Sequence, residues 1–557
     1  MTPLVSVQNL SLRYEFAERD TLSNVSFKLE QGESILLLGP SGCGKSTLTL
    51  CLNGLYPREL DGSLSGDIII NGKPTSSYKP GQLSRIVGVV FQDPETQFCM
   101  LTVEDEIAFG LENISVPREE MDARIDDALR LVNMEGFKSA TIATLSGGQK
   151  QKLALACILA MNPQLLILDE PTANLDPIAR VELIQTIKQL KKELGFSLVI
   201  IEHQLDQWTD LADRCLLLNK EGTAFYDGSI RQAIRSHQKE IAEEGIWLPK
   251  VTQHVLSYYD PNYYHIPLTL EEFLHQAILY SRIKWDLKTE KIERAKRDSF
   301  LECKNVSYIA NNQAILKDIS LTIREGEFVA IVGRNGSGKT TLSRILTGLQ
   351  RPSEGTVILR DQSLRDWKET HLRNEIGYVF QNPEHQFITN KVFDEVAFSL
   401  RMKGLHEQEI QNRVTRILGF FKLNDYVDEH PYMLSQGQKR RLSIATMIVD
   451  EQKILILDEP TFGQDMATNF EMMNLLSERY HTGTGIVMIT HDMELVHTYA
   501  ERIIVVHEGL IVADCTPAEL WLQPVEVLKE WGLDLPIQVK MQQLCEKEDR
   551  NHVLTST

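Results

Sequence analysis

The sequence has no uninterrupted apolar run close to the roughly 18 to 20 residues that a membrane-spanning helix requires. Its eight cysteines include no CxxC pair, the spacing typical of zinc sites and redox motifs. Residues 1–16 lack the basic start and the apolar stretch of a secretory signal. We therefore expect no membrane span, no zinc site and no disulfide framework, and we expect reduced cysteines, as in the cytosol.

Positive charge is also scarce. The 58 lysines and arginines are outnumbered by 77 acidic residues, which gives a formal net charge of −19 at pH 7. Proteins hold nucleic acid largely through Lys and Arg on phosphates, so this balance disfavours a broad nucleic-acid surface. A local basic stretch at residues 284–297 is the exception, and we expect no nucleic-acid partner.

What the chain does contain is a long internal repeat. FQDPETQFCMLTVEDE at residues 91–106 returns as FQNPEHQFITNKVFDE at residues 380–395. Further pairs follow in the same order along the two halves, namely GPSGCGKST with GRNGSGKTT, LSGGQKQKLALA with LSQGQKRRLSIA, LLILDEPT with ILILDEPT, VIIEH with VMITH, and GIWLP with GLDLP. This colinear series indicates two whole domains. We place a first domain with a C-terminal appendage at 1–260, a linker at 261–298, a second domain at 299–530 and a second appendage at 531–557.

Both halves have the pattern of an α/β fold. SILLLG, EFVAIVG, LLILD, SLVIIEH and GIVMITH are short apolar runs that end in glycine or polar residues, as in a mainly parallel sheet covered on both faces. Residues 118–134 and 406–423 have apolar positions at helical spacing. We expect each half to have a mainly parallel sheet core and an inserted helical segment.

The linker has weaker signals. Thr269 and Glu272 fit the capping box of a helix start, and KTEKIERAKRD further on is strongly charged. Charge runs are usually solvated faces. We interpret the segment as a partly helical, solvated tether without chemistry of its own.

GPSGCGKS and GRNGSGKT fit G-x-x-x-x-G-K-[ST] between a strand and a helix, the context that makes this motif specific for nucleotide phosphates. The glycines let backbone N–H groups turn toward the phosphates, and the helix N-terminus adds a positive dipole. We expect Lys45 and Lys339 to reach the β- and γ-phosphates, and Ser46 and Thr340 to bind Mg²⁺. The expected nucleotide-binding residues of the two loops are Gly39, Pro40, Ser41, Gly42, Cys43, Gly44, Lys45, Ser46 and Thr47, and Gly333, Arg334, Asn335, Gly336, Ser337, Gly338, Lys339, Thr340 and Thr341.

Paired acidic residues end a buried strand in each half. Asp169 and Asp458 are placed to hold Mg²⁺, since adjacent carboxylates at a buried strand end are costly unless their charge is compensated. Glu170 and Glu459 follow directly, and phosphoryl transfer to water needs such a residue to orient and deprotonate the water. A His closes the next strand in both halves, and we expect His203 and His491 to contact the γ-phosphate.

Together these motifs resemble those of the ATP-binding-cassette ATPases, over both halves of the chain. The resemblance implies two tandem P-loop ATPase domains, each with a helical subdomain, that pair face to face and hydrolyse ATP with Mg²⁺. Each ATP would lie between the phosphate loop of one domain and the LSGGQ-type signature motif of the other. The signature residues are Ser146, Gly147 and Gly148 in the first domain, for the nucleotide held by Lys339, and Ser435 and Gly437 in the second, for the nucleotide held by Lys45.

The resemblance assigns further residues. Gln92 and Gln381 match the family's glutamine that links Mg²⁺ and the attacking water to the transport partner. Asp176 and Asp465 match its cross-interface aspartate. We expect both glutamines to act at the catalytic site and on the metal.

The two halves differ at two of these positions. Gln436 stands in the second signature motif where the first has glycine, and its side chain either crowds the first ATP or points away. The family's adenine-stacking aromatic matches Tyr14, but Ala310 aligns with it in the second half, where Tyr308 lies on the same face of the strand. Because both catalytic glutamates and both histidines are present, we predict two hydrolysis-competent but unequal sites.

The repeat at residues 91–106 and 380–395 resembles one subgroup of these ATPases more specifically. DPETQF and NPEHQF follow the glutamines directly, with a proline to start a turn, an acidic residue in its first positions and an apolar Phe anchor. This cassette resembles the ATPases of energy-coupling-factor (ECF) importers, in a fused form with both halves in one chain. That implies an integral-membrane T component and a substrate-binding S component as partners and a peripheral position on the cytoplasmic face of the membrane. The implied substrate is a vitamin or other small micronutrient, for which thiamine and its hydroxymethylpyrimidine precursor are candidates.

Two other classes share the tandem arrangement. A ribosome-associated factor of the ABC-F type would be expected to show an LSGGE-like signature and a longer basic linker, and a tandem sugar-importer ATPase tends to carry one degraded site. LSGGQ and LSQGQ, the overall acidity, the DPETQF cassette and both glutamates favour the vitamin importer. Repair or structural ATPases would need long coiled-coil or zinc insertions, which the sequence lacks.

Overall fold

The computed structural model describes residues 2–15, 17–58, 62–79, 81–173, 175–262, 264–276, 297–310, 312–450, 452–461 and 463–555, without the side chains of Gln436 and of residues 547–555. The chain forms two compact units, one built mainly from the described residues up to 276 and the other mainly from residues 297–540. All eight cysteines are free thiols. No helix in the described part of the chain is long and apolar enough to cross a membrane.

The first unit contains two sheets. Its strands are β1 (Val5–Tyr14), β2 (Leu22–Leu29), β3 (Ser34–Leu38), β4 (Gly62–Ile70), β5 (Lys73–Pro74), β6 (Val87–Val90), β7 (Leu165–Asp169), β8 (Ser197–Ile201), β9 (Arg214–Leu218) and β10 (Ala224–Gly228). The larger sheet has the order β10-β9-β3-β8-β7-β6 and is parallel except for β10 at its edge. The other four strands form an antiparallel sheet with the order β2-β1-β4-β5.

The helices of the first unit cover the larger sheet and build the helical segment. They are α1 (Lys45–Leu52), α2 (Val103–Asn113), α3 (Arg118–Leu131), α4 (Gly147–Ala160), α5 (Pro177–Leu194), α6 (Ile230–Ser236), α7 (Gln238–Glu243), α8 (Lys250–Leu256) and α9 (Leu270–His275). Alternate residues of β3 enter different apolar clusters: Leu36 packs with α2 to α5, whereas Leu37 packs with the antiparallel sheet and α1. Side chains alternate across a strand, so both faces of the sheet are buried.

The second unit repeats this plan. Its strands are β11 (Ser299–Ala310), β12 (Gln313–Arg324), β13 (Phe328–Val332), β14 (Glu354–Leu359), β15 (Gln362–Ser363), β16 (Ile376–Val379), β17 (Ile454–Asp458), β18 (Gly485–Ile489), β19 (Arg502–His507) and β20 (Leu510–Cys515). Its helices are α10 (Lys339–Leu346), α11 (Glu369–Glu375), α12 (Val392–Met402), α13 (Glu407–Phe420), α14 (Gln436–Ile448), α15 (Met466–His481), α16 (Met493–Tyr499), α17 (Pro517–Leu520), α18 (Val525–Glu530) and α19 (Ile537–Thr555). The sheet orders are β12-β11-β14-β15 and β16-β17-β18-β13-β19-β20.

The fold class predicted from the sequence is confirmed. The apolar runs form the buried central strands, and the helical patterns at 118–134 and 406–423 correspond to α3 and α13. The antiparallel sheets were not foreseen, because their strands are half exposed and alternate with polar residues rather than forming apolar runs.

Part of the predicted linker is packed against the first unit. Thr269 caps α9 as expected, accepting a hydrogen bond from the backbone N–H of Glu272. The Thr252 hydroxyl donates to the carbonyl oxygen of Pro267 at 2.6 Å, and Phe273 is completely buried. Residues 264–276 are therefore not the solvated tether we expected, because their apolar side chains find a core. Residues 277–296, with most of the charged run, lie outside the described residues.

Candidate nucleotide site

Each phosphate loop joins the central parallel strand of its unit to a helix. Gly44 and Gly338 adopt φ of 97° and 103° and cap the helices that begin at Lys45 and Lys339. A Cβ on Gly44 would lie 2.7 Å from the carbonyl oxygen of Thr21, so the turn admits only glycine there. Of the predicted loop residues, Gly39 to Gly44 and Gly333 to Gly338 form the turns, and Ser46, Thr47, Thr340 and Thr341 lie in the first helical turns.

The two loop lysines have the same environment. Lys45 Nζ donates to the carbonyl oxygens of Gly39 and Pro40, both at 2.8 Å. Lys339 Nζ donates to those of Gly333 and Arg334, both at 2.7 Å. Both lysines are buried, so each loop holds a fixed positive charge close to backbone N–H groups. This arrangement is suited to an anion.

A hydroxyl and a carboxylate meet beside each lysine. Ser46 hydrogen-bonds Asp169, and Thr340 hydrogen-bonds Asp458. Burial, and then the neighbouring Glu170 charge, raise the pKa of Asp169 to about 6. The pKa of Asp458 is raised for the same two reasons.

This donor set fits Mg²⁺. Magnesium is held in proteins by one or two carboxylates together with substrate phosphates and water, through oxygen atoms. Within the described residues no group of three or more His, Cys, Asp or Glu could hold a metal on its own, so Asp169 with Ser46, and Asp458 with Thr340, would share the ion with phosphate oxygens. A bound cation would also relieve the cost of ionising these buried carboxylates.

The glutamates after these aspartates have a constrained backbone. Glu170 and Glu459 adopt left-handed φ of 48° and 50°. The backbone N–H of Glu170 donates to the carbonyl oxygen of Ile201 at the end of β8, and that of Glu459 to the carbonyl oxygen of Ile489 at the end of β18, both at 2.9 Å. This conformation costs free energy for a non-glycine residue, so contacts with the surrounding structure must stabilise it.

Both glutamates pair with the predicted histidines. Glu170 Oε1 lies 3.0 Å from Nε2 of His203, and Glu459 Oε1 lies 2.9 Å from Nδ1 of His491. Burial would raise the pKa of Glu170, but His203 and Lys45 outweigh it and the pKa is lowered. The pKa of Glu459 is lowered in the same way. Both carboxylates are therefore ionised near neutral pH, as a base requires.

The two glutamines differ. Gln92 Nε2 donates to Glu170 Oε2 at 2.7 Å, so it joins the carboxylate and histidine. Gln381 is exposed. The structure thus brings the loop lysine, aspartate, glutamate and histidine together in each unit, and adds the glutamine only in the first.

The signature motifs begin helices. Ser146 and Ser435 cap α4 and α14, and each forms a capping box with Gln149 or Gln438. Gly147 and Gly148 are the first residues of α4, and Gly437 is the second of α14. The side chain of Gln436 lies outside the described residues, so both interpretations of it remain predictions.

A short 3₁₀ helix follows each glutamine. We call Pro94–Gln97 and Pro383–Gln386 the proline turns; Asp93 and Asn382 cap them by accepting from the N–H of the turn's Glu. Glu95 pairs with Lys150 of α4 at 2.5 Å, and Glu384 pairs with Lys439 of α14 at 2.6 Å. The recurring cassette therefore ties the segment after the glutamine to the signature helix in both units.

Comparisons with known proteins show the family of the chain. A family model described as ABC transporter matches residues 22–173 and 316–462, which together are more than half of the chain. A relative from Bacillus subtilis (strain 168) is 45% identical over 96% of this chain and 95% of its own length. The chain belongs to the ATP-binding-cassette transporter family. It binds ATP with Mg²⁺ and hydrolyses ATP as a P-loop ATPase.

The names of these similar proteins all describe parts of transporters. The Bacillus subtilis relative carries the provisional name HMP/thiamine import ATP-binding protein YkoD. A Methanosarcina mazei protein, provisionally named ABC transporter ATP-binding protein, is 37% identical over 97% of this chain and 93% of its own length. A solved structure of cbiO1 from Clostridium perfringens, described as part of the ABC transporter complex cbiONQ, is 32% identical and covers 44% of this chain and 94% of that chain, with a TM-score of 0.38.

The aromatic positions of the two cassettes also differ. The Tyr14 hydroxyl lies 3.0 Å from Oγ1 of Thr47 in the phosphate loop, and its ring packs edge-on against Tyr56. Ala310 ends β11, and Tyr308 is half-buried against the apolar cluster of the second antiparallel sheet. An adenine-stacking role for Tyr14 or Tyr308 stays a prediction.

Two buried residues beside the cassette sites were missed. Glu202, just before His203, accepts hydrogen bonds from the backbone N–H of Thr172 at 3.0 Å and of His203 at 3.2 Å. Arg440 lies in the second signature helix and donates to the backbone carbonyl oxygens of Asp458 and Glu459, at the end of β17. Glu202 follows an apolar run, whereas Arg440 stands between Lys439 and Arg441, so the sequence gives no signal that Arg440 is buried.

Proposed function

We propose that this chain is the ATP-hydrolysing energy-coupling subunit of an ECF-type importer. It would bind an integral-membrane T component and through it a substrate-binding S component, on the cytoplasmic face of the membrane. The substrate would be thiamine or hydroxymethylpyrimidine. The two cassettes would pair within the chain, with domains at residues 1–260 and 299–530, a linker at 261–298 and a final appendage at 531–557.

Within this proposal the site residues have distinct roles. Glu170 and Glu459 accept the proton of the attacking water, and the ionised state of both carboxylates supports that role. His203 and His491 orient the glutamates and contact the γ-phosphate. The metal would neutralise charge on the phosphates, which is the main requirement of phosphoryl transfer.

The observation that carries the importer proposal is the ion pair between each proline turn and its signature helix. Lys150 and Lys439 are mostly buried and reach out to Glu95 and Glu384, which are more exposed. A partner that moves a proline turn would move the signature helix with it, and the glutamine directly before the turn reaches the catalytic glutamate in the first unit. A coupling subunit needs such a connection between its partner and its ATP site.

Exposed apolar side chains close to these turns support a protein partner. Leu101 is 80% exposed just after the first proline turn, and Ile388 is 64% exposed just after the second. Met433, 70% exposed, immediately precedes the second signature motif. Apolar residues at such positions are typical of surfaces that bind another protein.

The substrate proposal comes from the relatives. The Bacillus subtilis protein matches this chain over nearly its full length, and its name specifies HMP/thiamine import. No residue that we assign to the site would contact a vitamin. The substrate would therefore be recognised by the membrane partner, and the ATPase contributes energy alone.

The proposal is tested by affinity capture of the Glu170→Gln, Glu459→Gln double variant from gently solubilised cells with Mg-ATP. We expect two polytopic membrane proteins to be recovered, and mass spectrometry of small molecules in the sample to find thiamine or hydroxymethylpyrimidine. Ribosomes without membrane proteins would support the ABC-F class instead. A large permease pair with bound sugar would support a sugar importer.

Two surface variants make the test specific. Leu101→Asp with Ile388→Asp would put a charge beside each proline turn and should abolish recovery of the membrane proteins, with ATP binding retained. Leu522→Asp is the matched control, since Leu522 is an equally exposed leucine, 83%, that is far from both turns in the sequence. Equal recovery of the membrane proteins with both variants would contradict docking of the partner beside the proline turns.

A further inference from the structure

A buried arginine in the second unit connects three of its motifs. Arg440 lies on α14, the signature helix, and is only 2% exposed. Its guanidinium donates to the carbonyl oxygen of Phe380, the residue before Gln381, and to those of Asp458, at 3.2 Å, and Glu459. One side chain therefore joins the signature helix, the segment that leads into the proline turn, and the catalytic strand end.

Burying this charge has a cost that the carbonyls must offset. A buried guanidinium is tolerated only when its N–H groups are satisfied, and Arg presents them as a rigid planar fork. Burial lowers the pKa of Arg440 to about 10, while the Glu459 and Asp458 charges oppose that change. The side chain thus stays charged near neutral pH, and among the described residues its hydrogen bonds go to backbone carbonyl oxygens rather than to a carboxylate.

The contact to Glu459 falls where the backbone is strained. Glu459 has the left-handed φ of 50°, and its N–H is held by the carbonyl oxygen of Ile489. Arg440 holds the carbonyl oxygen on the other side of the same residue. The peptide groups on both sides of Glu459 are therefore fixed, which limits the directions in which its carboxylate can point.

Among its described residues, the first unit has no such connection. Gln151 is the residue that aligns with Arg440, is 3% exposed, and has an amide nitrogen without a hydrogen-bond partner in the described part of the chain. There Glu170 is instead contacted through its side chain, by Gln92. The two units hold their glutamates by different means.

We propose that Arg440 is a positioning residue of the second ATP site, which fixes the backbone of Glu459 and joins it to the signature helix. It acts through Glu459 and touches neither nucleotide nor metal. The first site relies on Gln92 for the same purpose. This inference rests on the proposed catalytic role of Glu459 and gives a structural reason for unequal sites.

The test compares three full-length variants in the Glu170→Gln background, where the second site supplies the remaining turnover. Arg440→Gln introduces the residue of the first unit, and Arg440→Lys keeps the charge without the fork. Arg441→Gln is the matched control, because Arg441 is the next residue and donates to the carbonyl oxygen of Phe421 at 2.9 Å, away from the catalytic strand. Steady-state ATP turnover, AMP-PNP affinity and the melting temperature are measured for each.

We expect Arg440→Gln to lower kcat about tenfold or more, with KM and AMP-PNP affinity within about twofold, as for other residues that orient a catalytic group. Arg440→Lys should recover part of kcat, and Arg441→Gln should keep it. The inference is overturned if Arg440→Gln retains kcat, if Arg441→Gln loses as much, or if KM rises while kcat stays the same. Should Arg440→Gln fail to fold, Arg440→Lys decides, and a kcat equal to that of the background would overturn the proposal.

The proposed role of Glu459 is checked separately. Glu459→Gln alone, in the wild-type background, should lower turnover while AMP-PNP binding is retained. If Glu459→Gln keeps full turnover but Arg440→Gln does not, the assignment of the catalytic base fails and Arg440 acts by another route. If both lose turnover with ATP binding intact, both assignments are supported.

Discussion

Gln92 and Glu170 are joined by a hydrogen bond of 2.7 Å between Nε2 and Oε2, across 78 residues of sequence. The other oxygen of Glu170 lies 3.0 Å from His203, so both carboxylate oxygens are engaged. In the second unit Glu459 contacts His491, and Gln381 is exposed. The two proposed catalytic glutamates therefore have different neighbours although their motifs are alike.

The first prediction concerns these glutamines. Gln92→Ala should lower ATP turnover more than Gln381→Ala, by about tenfold against about twofold, because only Gln92 orients its glutamate directly. Steady-state turnover of the purified chain, without membrane partners, measures the difference. Equal losses for the two variants would show that the Gln92 contact has no catalytic consequence.

The second prediction concerns the proposed bases. Glu170→Gln and Glu459→Gln should each lower turnover and retain ATP binding, since a glutamine keeps the shape of the side chain but cannot accept the proton. The losses should be unequal, because the two sites are held differently. Single-turnover hydrolysis and ATP binding by each variant provide the measurement, and unchanged turnover in either variant would contradict the assignment.

The third prediction links pH to stability at the proposed metal site. The pKa of Asp169 is raised to about 6, so its charged form costs the fold up to about 3 kcal/mol relative to an ordinary Asp. An acid whose pKa is higher in the folded state stabilises the fold in its protonated form. This contribution to stability is fully present below the unfolded pKa of about 4 and is lost as the pH rises through about 6.

Asp169→Asn removes that charge. Without Mg²⁺ and nucleotide, the variant should melt at a higher temperature than the wild type at pH 8 and at a similar temperature near pH 4.5. Adding Mg-ATP should stabilise the wild type more than the variant, in which only the second site, with Asp458 and Thr340, keeps its carboxylate. Melting curves across this pH range, with and without Mg-ATP, test it, and a difference independent of pH would contradict it.

The fourth prediction concerns the first phosphate loop. Gly44→Ala should destabilise the chain by about 2 kcal/mol or more, since the added Cβ meets the Thr21 carbonyl oxygen at 2.7 Å in a left-handed backbone. Gly195 has φ of 67° and no atom within 4 Å of an added Cβ, so Gly195→Ala isolates the backbone cost of about 1 kcal/mol. Urea unfolding compares the two variants, and equal losses would mean that the close contact is relieved by local movement.

Much of this protein followed from its sequence. A strand, a glycine turn and a helix are local in the chain, so the phosphate loops were found from consecutive residues. Lys45 and Lys339 begin the helices that follow these loops. The buried parallel strands followed from short apolar runs, because a strand covered on both faces has no polar side. Repetition of the motifs in one order then determined the tandem arrangement and the family.

Only the tertiary structure decided how the glutamate of each copy is held. The Gln92 contact, the Arg440 fork and the packing of Phe273 each join residues that are far apart in sequence or belong to different elements. Whether a Gln or Arg meets a partner depends on the direction of its side chain in the packed fold, and periodicity does not supply that direction. The sequence therefore determined which functional groups each cassette contains, whereas packing decided which side chains hold each of the two glutamates in place.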